Sequence, residues 1–409
     1  MDPNFPLTER SLKKLNSDTA HPALLLCQSS WVGPLSKILT NPLFSFKEWE
    51  DQRTGTILSE ISGFKTIIVA FSSGEDLIAA VVRERLKMEN SDAVVLRLLR
   101  DVFMKASLSL GGQMAPQENW KTCPPGSPTY FVFATPRSGS TFFCDILGKT
   151  KLLGHPREHL LADLLPAFFN TDLTFNEWIR TLVKYSFTPN GYSSTKLISH
   201  LFLEVLEYYN KKPALVEDLM HYFKAYPVIY LIRRNKVRQA ISLIIAKKTA
   251  VWHIKNEKQV TSSQVNLNLD DGPDEIENKM VWFTEQEKQL EDFFRKAGIV
   301  PHVYFYEDFS DELKSPAIYK EIAQYLNVSF PDEIPEPNYS VMSDEHNEAL
   351  VRNYYEYLDK KIRDSDYPRE PVASLIMSSM MAEMEYLTRK SNLIISPSKS
   401  SNKKWWKLF

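Results

Sequence analysis

One short segment of the sequence combines a cation, a glycine and three hydroxyl side chains, a set of groups suited to binding an anion. The segment Pro136–Thr141 (PRSGST) lies one residue after the apolar stretch Tyr130–Ala134. Gly139 allows a tight turn and a close approach of the backbone to an anion. The first N–H groups of a following helix face the same anion, and Arg137 neutralises part of its charge. The residues predicted to contact a phosphate or sulfate group are Pro136, Arg137, Ser138, Gly139, Ser140 and Thr141.

This segment is not the phosphate loop of P-loop kinases. The pattern GxxxxGK[ST] requires two glycines and a Lys before the hydroxyl residue. Here there is a single glycine, and the cation is Arg137. The segment alone also leaves open an ordinary strand-to-helix turn with a capping Ser.

A second basic group follows the apolar stretch Val228–Ile232. Arg234 comes directly after this stretch, and Ser242 follows eight residues later. An Arg at the end of a strand and a Ser two turns into the next helix can converge on one phosphate. The alternative is an exposed basic helix face. Two anion sites at the carboxyl ends of strands in one sheet predict a ligand with two separated phosphates.

The elements that must position these groups are strands alternating with helices. Short apolar stretches with β-branched and aromatic residues are typical of buried strands, and helical spacing predicts helices over Gly74–Lys87 and Asp274–Ala297. The pattern predicts an α/β fold, with a P-loop-like, mostly parallel sheet covered by helices on both faces and a smaller N-terminal α/β domain. The predicted strands are Ala23–Cys27, Thr66–Phe71, Tyr130–Ala134, Val228–Ile232 and His302–Tyr306.

The same patterns divide the chain into four parts. Residues 1–110 are expected to form the N-terminal α/β domain, in which we find no phosphate loop, metal-ligand cluster or nucleophile motif. Residues 111–128 are rich in Gly and Pro and are expected to be a linker. Residues 129–390 form the domain that carries both anion motifs, and residues 391–409 are a basic and aromatic tail.

Composition excludes several classes of protein. The 409 residues include 49 Lys and Arg against 51 Asp and Glu, which argues against a nucleic-acid partner bound through overall positive charge. Aromatic residues make up 12% of the chain, too many for a disordered protein. No apolar run approaches the ~20 residues of a membrane-spanning helix, and the first twenty residues lack the apolar core of a signal peptide. We therefore expect a cytoplasmic protein.

The two anion motifs, in this order and spacing, resemble those of sulfotransferases that use 3′-phosphoadenosine 5′-phosphosulfate (PAPS). The first loop of those enzymes holds the 5′-phosphosulfate, and an Arg and a Ser eight residues apart hold the 3′-phosphate. The sequence is most similar to the bacterial trehalose sulfotransferase type, in which an ATPRSGST-x-x-C segment precedes a G-x-P-x-E segment. Here these are Ala134–Cys144 and Gly154–Glu158. The resemblance covers roughly Tyr130 to Val328.

The resemblance implies a catalytic role for two residues, Glu158 as the general base and Arg137 as the group that offsets charge on the phosphosulfate. A surface glutamate paired with Arg157 is the alternative for Glu158. Lys196 lies near a family segment with an active-site Lys, although two extra residues separate it from the expected pattern. His155 and His159 flank the proposed base. Their alternatives are a competing base, a place in the acceptor pocket and a structural role.

The resemblance also implies the partners of the reaction. PAPS is the expected co-substrate, and the acceptor is a hydroxyl of a carbohydrate, a glycolipid or another alcohol. We expect no metal, because the histidines form no ligand-like pairs with carboxylates. The tail residues 403–409 suit weak contact with an anionic membrane surface, with a disordered tail end as the alternative. A homo-oligomer is compatible with the sequence. The competing functions are a P-loop kinase and a non-catalytic nucleotide-binding module.

Overall fold

A computed structural model describes most of the chain that carries the predicted motifs. The expected linker 111–128, apart from its last residue, and the tail from 395 onward lie outside the described residues, as do residues 1–22 and 253–271. The described residues are 23–27, 32, 43–48, 64, 66–70, 75–88, 91–97, 128–160, 165–169, 174–183, 186–249, 252, 272–311, 314–329, 333–339, 345–364 and 370–394.

The N-terminal region contains a parallel four-stranded sheet. Its strands are β1 (Ala23–Cys27), β2 (Phe44–Glu48), β3 (Thr66–Ala70) and β4 (Val94–Arg97), in the order β2-β1-β3-β4. Helix α1 (Glu75–Met88) packs on it through Ala79, Val82 and Leu86, which meet the apolar side chains of β1 and β3. The predicted N-terminal α/β fold is confirmed. Strands β2 and β4 were not predicted.

A second, five-stranded sheet is also parallel. Its strands have the order β6-β7-β5-β8-β9, so that β5, which leads into the first anion motif, is central. The strands are β5 (Thr129–Ala134), β6 (Arg157–Glu158), β7 (Ser193–Ile198), β8 (Val228–Ile232) and β9 (His302–Phe305). The predicted α/β fold with a parallel sheet is confirmed, and strands β5, β8 and β9 lie where the apolar stretches predicted them.

Helices lie between the strands of this sheet and also follow its last strand, β9. They are α2 (Ser140–Lys149), α3 (Leu165–Phe169), α4 (Phe175–Val183), α5 (Ser199–Tyr209), α6 (Pro213–Lys224), α7 (Lys236–Thr249), α8 (Gly272–Ala297), α9 (Tyr306–Phe309), α10 (Ser315–Tyr325), α11 (Glu345–Arg363) and α12 (Val372–Ile394). The long helix predicted at Asp274–Ala297 is confirmed as α8, which begins two residues earlier. None of the helices in the described part of the chain is long and apolar enough to cross a bilayer.

The chain divides into two compact units. One comprises Met1–Phe133, Leu147–Ile229 and Leu290–Pro301, and the other Ala134–Ile146, Tyr230–Gln289 and His302–Phe409. The first unit has an aromatic core in which Phe202 makes edge-on contacts with Phe133 and Phe223. Phe175 and Trp178 are fully buried in this core.

The second unit has its own apolar core, built from four helices. Side chains of α7, α8, α11 and α12 pack together, with Met280, Phe283 and Tyr354 fully buried at the centre. Helix α7 therefore has a fixed place in this unit. That matters for function because α7 begins two residues after Arg234 and carries Ser242, the other member of the second anion motif.

Candidate functional site

The loop between β5 and α2 has an unusual backbone. Arg137 and Gly139 both adopt positive φ, 63° and 77°. A Cβ atom on Gly139 would lie 2.8 Å from Cε2 of Tyr306 and closer still to its Cδ2, so only glycine fits. Ser138 is fully buried, and its hydroxyl donates to the carbonyl of Thr135 at 2.8 Å. Alternating backbone conformations of this kind form concave, anion-binding turns.

The Arg137 side chain reaches toward the second motif. Its Nε donates to Oγ of Ser242 at 3.0 Å, and Nη1 donates to the carbonyl of Trp252 at 2.6 Å. Burial, and then the nearby charge of Arg233, lower the pKa of Arg137 to about 10. Both causes disfavour the positive charge of the Arg137 guanidinium. A bound anion would stabilise that charge. The two predicted anion motifs therefore meet at Arg137 and Ser242.

Arg233 is a member of this site that sequence reasoning did not select. Its Nη1 donates to the backbone carbonyl of Arg137 at 3.2 Å. Its guanidinium also lies over the ring of Tyr306, 4.3 Å from the centroid. Its position directly after β8 is the only feature of the sequence that indicates a role in the site. Arg233 and Arg234 are adjacent there, and the sequence does not show which of them turns toward the loop.

Arg234 is held by the short acidic helix α9. Its Nη2 donates to Oδ2 of Asp308 at 2.6 Å, and its guanidinium lies 3.9 Å from the centroid of the Phe305 ring. Glu307 accepts from the backbone N–H groups of Arg234 and Asn235, at 3.1 and 2.9 Å. These contacts fix the position of the guanidinium at the end of β8.

The Asp308 carboxylate has a second cationic partner, Lys314, at 2.9 Å. Burial alone would raise the pKa of Asp308, but hydrogen bonds from Arg234 and Lys314 lower it below its usual value. The carboxylate is therefore ionised at neutral pH. Ser242 and Arg234, predicted as partners on one phosphate, contact Arg137 and Asp308 respectively.

A separate pair of predicted residues meets on strands β6 and β7. Glu158 and Lys196 are direct neighbours in the parallel pairing of these strands. Lys196 Nζ lies 3.3 Å from Glu158 Oε2, and the side chains are 7% and 26% exposed. The candidate base thus retains access to solvent while a nearly buried Lys orients its carboxylate.

The two histidines beside Glu158 lie in different surroundings. The backbone N–H of His155 donates to the carbonyl of Ser186 at 2.7 Å. Burial, with a smaller contribution from the charge of Arg157, lowers the pKa of His155 to about 4, so its ring is neutral at neutral pH. His159 is buried. The partly buried His155 imidazole, three residues before Glu158, is therefore neutral rather than cationic.

Comparison with known proteins identifies the region that contains the second motif. The model of the Stf0 sulphotransferase family matches residues 201–356. Those residues are similar to the Stf0 sulphotransferase family. The match confirms the resemblance to sulfotransferases of the trehalose sulfotransferase type. No curated protein matches the chain.

The Stf0 sulphotransferase match covers only part of the chain. It extends from α5 to α11 and includes Arg234 and Ser242, whereas the loop at 135–141 and Glu158 precede it. The family supports the transfer of a sulfuryl group as the general activity. Within the described residues, no three His, Cys, Asp or Glu side chains form a group that could hold a metal ion.

Proposed function

We propose that the protein transfers a sulfuryl group from PAPS to a hydroxyl of a carbohydrate or glycolipid. The observation that carries this proposal is the hydrogen bond between Arg137 and Ser242, which joins the two predicted anion motifs in one place. Because the motifs meet there, a nucleotide with two phosphorylated positions can contact both at once. The P-loop kinase alternative is not favoured by the family match.

In this proposal the donor lies along the second unit. The 5′-phosphosulfate is held by the loop Pro136–Thr141, by the N-terminal N–H groups of α2 and by Arg137. The 3′-phosphate is held by Arg234 and Ser242. The hydrogen bond to Asp308 at 2.6 Å supports this role, because it fixes Arg234 before the donor arrives.

The reaction itself is an in-line displacement at sulfur. The acceptor oxygen forms a bond to sulfur, while the bond from sulfur to the bridging oxygen of the 5′-phosphate breaks. That oxygen keeps the electron pair and leaves with 3′-phosphoadenosine 5′-phosphate (PAP). The acceptor proton passes to the Glu158 carboxylate, and Arg137 offsets the charge that grows on the leaving phosphate.

The assignment of Glu158 as base rests on the resemblance and is supported by its ion pair. Lys196 holds the carboxylate in one direction at 3.3 Å, as a positioned base requires. The acceptor class, a sugar hydroxyl, comes from the family type that the motifs resemble. A cytoplasmic location, with weak membrane contact through residues 403–409, fits a glycolipid acceptor.

The proposal is tested by transfer of labelled sulfuryl from PAPS to a panel of sugars, glycolipids and lipid alcohols. Wild-type protein should label at least one class of acceptor without added metal. Glu158→Gln should label the same acceptor much more slowly than wild type does. Glu204→Gln, on helix α5, is the matched control and should behave as wild type. Equal labelling by the Glu158→Gln variant would contradict the assignment of the base.

A further inference from the structure

Gln239 lies on the first turn of α7, behind the loop between β5 and α2. The side chain is fully buried. Its Nε2 donates to the carbonyl of Pro136 at 2.7 Å and to Oγ1 of Thr135 at 3.0 Å. Both acceptors directly precede Arg137, where the backbone turns to positive φ. The amide of Gln239 thus holds the loop at the point where its unusual conformation begins.

The orientation of this amide is fixed by a closed ring of hydrogen bonds. Thr135 accepts from Gln239 and donates to Glu287 Oε1 at 3.4 Å. Glu287 accepts from Lys236 Nζ at 2.6 Å. Lys236 Nζ also donates to Oε1 of Gln239 at 3.4 Å, which closes the ring. All four residues are buried, so each of these bonds is costly to lose.

The same ring reaches the second anion motif. Lys236 Nζ donates to the backbone carbonyl of Arg233 at 2.6 Å. Arg233 in turn donates to the carbonyl of Arg137. One buried network therefore holds the residue before Arg137 and the residue before Arg234. These two arginines are assigned above to the two phosphate positions of the donor.

We infer that Gln239 is a positioning residue for the nucleotide donor, acting through Pro136 and Thr135. It touches neither donor nor acceptor in this role. The inference rests on the proposed function. Its specific consequence is that loss of the amide weakens every nucleotide whose 5′-phosphate sits in the loop, whether or not that nucleotide carries a 3′-phosphate.

The experiment is a calorimetric titration of full-length Gln239→Leu with PAP and with adenosine 5′-phosphate. We expect both affinities to fall by a similar factor, about tenfold, because buried hydrogen bonds of the loop are lost. Gln286→Leu, which removes another buried amide, on α8, is the matched control and should change neither affinity. Wild-type affinity of Gln239→Leu for both nucleotides would overturn the inference.

Two further measurements test the role of Gln239 if Gln239→Leu does not fold or if the protein binds neither nucleotide. If Gln239→Leu does not fold, Gln239→Glu replaces it, because the carboxylate keeps the contact with Lys236 and loses the donor to Pro136. Hydrogen exchange of the amides of residues 137–141 supplies a readout without nucleotide. Faster exchange in the Gln239 variant than in Gln286→Leu is expected, and equal exchange would overturn the inference. If the wild type binds neither nucleotide, the proposed function fails, and the exchange result still decides the role of Gln239.

Discussion

Arg137 Nε donates a hydrogen bond of 3.0 Å to the hydroxyl of Ser242, 105 residues further along the chain. Arg137 belongs to the loop after β5, and Ser242 to the second turn of α7. Each residue was selected from a different motif. Because of this contact, two motifs that are far apart in the sequence form one positively charged site. For this reason we assign to the site a ligand that is a nucleotide with phosphates at two positions.

Gly139→Ala should abolish nucleotide binding. The new Cβ would overlap the Tyr306 ring, and the positive φ adds a cost of about 1–2 kcal/mol for any residue with a side chain. PAP titration and thermal unfolding measure the two effects. In the double variant Gly139→Ala/Tyr306→Ala the overlap is relieved while the strain at φ remains, so we expect partial recovery of stability. A fully stable, fully binding Gly139→Ala variant would contradict the loop geometry.

Glu158→Gln should lower kcat by about 100-fold or more, because a positioned general base contributes about 10²–10⁴-fold. Affinity for PAP should not change, since the proposed donor contacts lie in other residues. Lys196→Met should give a smaller loss of kcat, because the carboxylate remains but its partner at 3.3 Å is removed. Steady-state kinetics and PAP titration separate these effects. A loss of PAP affinity in Glu158→Gln with unchanged kcat would show that this residue binds the donor instead.

The free energy of unfolding should depend on His155 in mildly acidic solution. Its pKa falls to about 4 in the folded protein from an ordinary 6.5, because burial and Arg157 disfavour its charge. Between these values the unfolded chain takes up a proton that the folded protein does not, so stability falls as pH drops from about 6.5 to about 4. His155→Gln should lessen this fall in urea titrations at pH 5 and 7.5. His221→Gln, on the exposed face of α6, is the control, and an identical pH dependence in both variants would exclude the effect.

Arg238 should be among the most important charged residues for stability. It makes paired hydrogen bonds with Glu348 of α11 and Glu383 of α12, at 2.6 to 2.8 Å, and is 12% exposed. Arg238→Met leaves two partly buried carboxylates without this cation, which we expect to destabilise the fold by about 3–5 kcal/mol. Arg363→Met removes an exposed pair with Asp359 and should cost less than about 1 kcal/mol. Urea unfolding compares them, and equal losses would contradict the role of burial.

The sequence indicated the strands that carry the proposed donor site because β5, β8 and β9 are apolar and short. Strands β6 and β7 were not predicted, since β6 has two residues and β7 (SSTKLI) begins with four polar ones. Their pairing is what places Lys196 beside Glu158. Likewise, the contact between Arg234 and Asp308 of α9 depends on folding that joins residues 74 positions apart. A local sequence pattern identifies which residues could bind an anion. Which side chains contact each other can be seen only in the folded sheet.

In the proposed function, one site binds a nucleotide through a 5′-phosphate loop and a separate 3′-phosphate contact. Calorimetric titration of PAP and adenosine 5′-phosphate against wild type and Arg234→Ala, without added metal, tests it most directly. We predict that wild type binds PAP more tightly, and that Arg234→Ala loses about 10–100-fold of PAP affinity while its affinity for adenosine 5′-phosphate is unchanged. Absence of PAP binding to the wild type, or an unchanged PAP affinity in Arg234→Ala, would contradict the account.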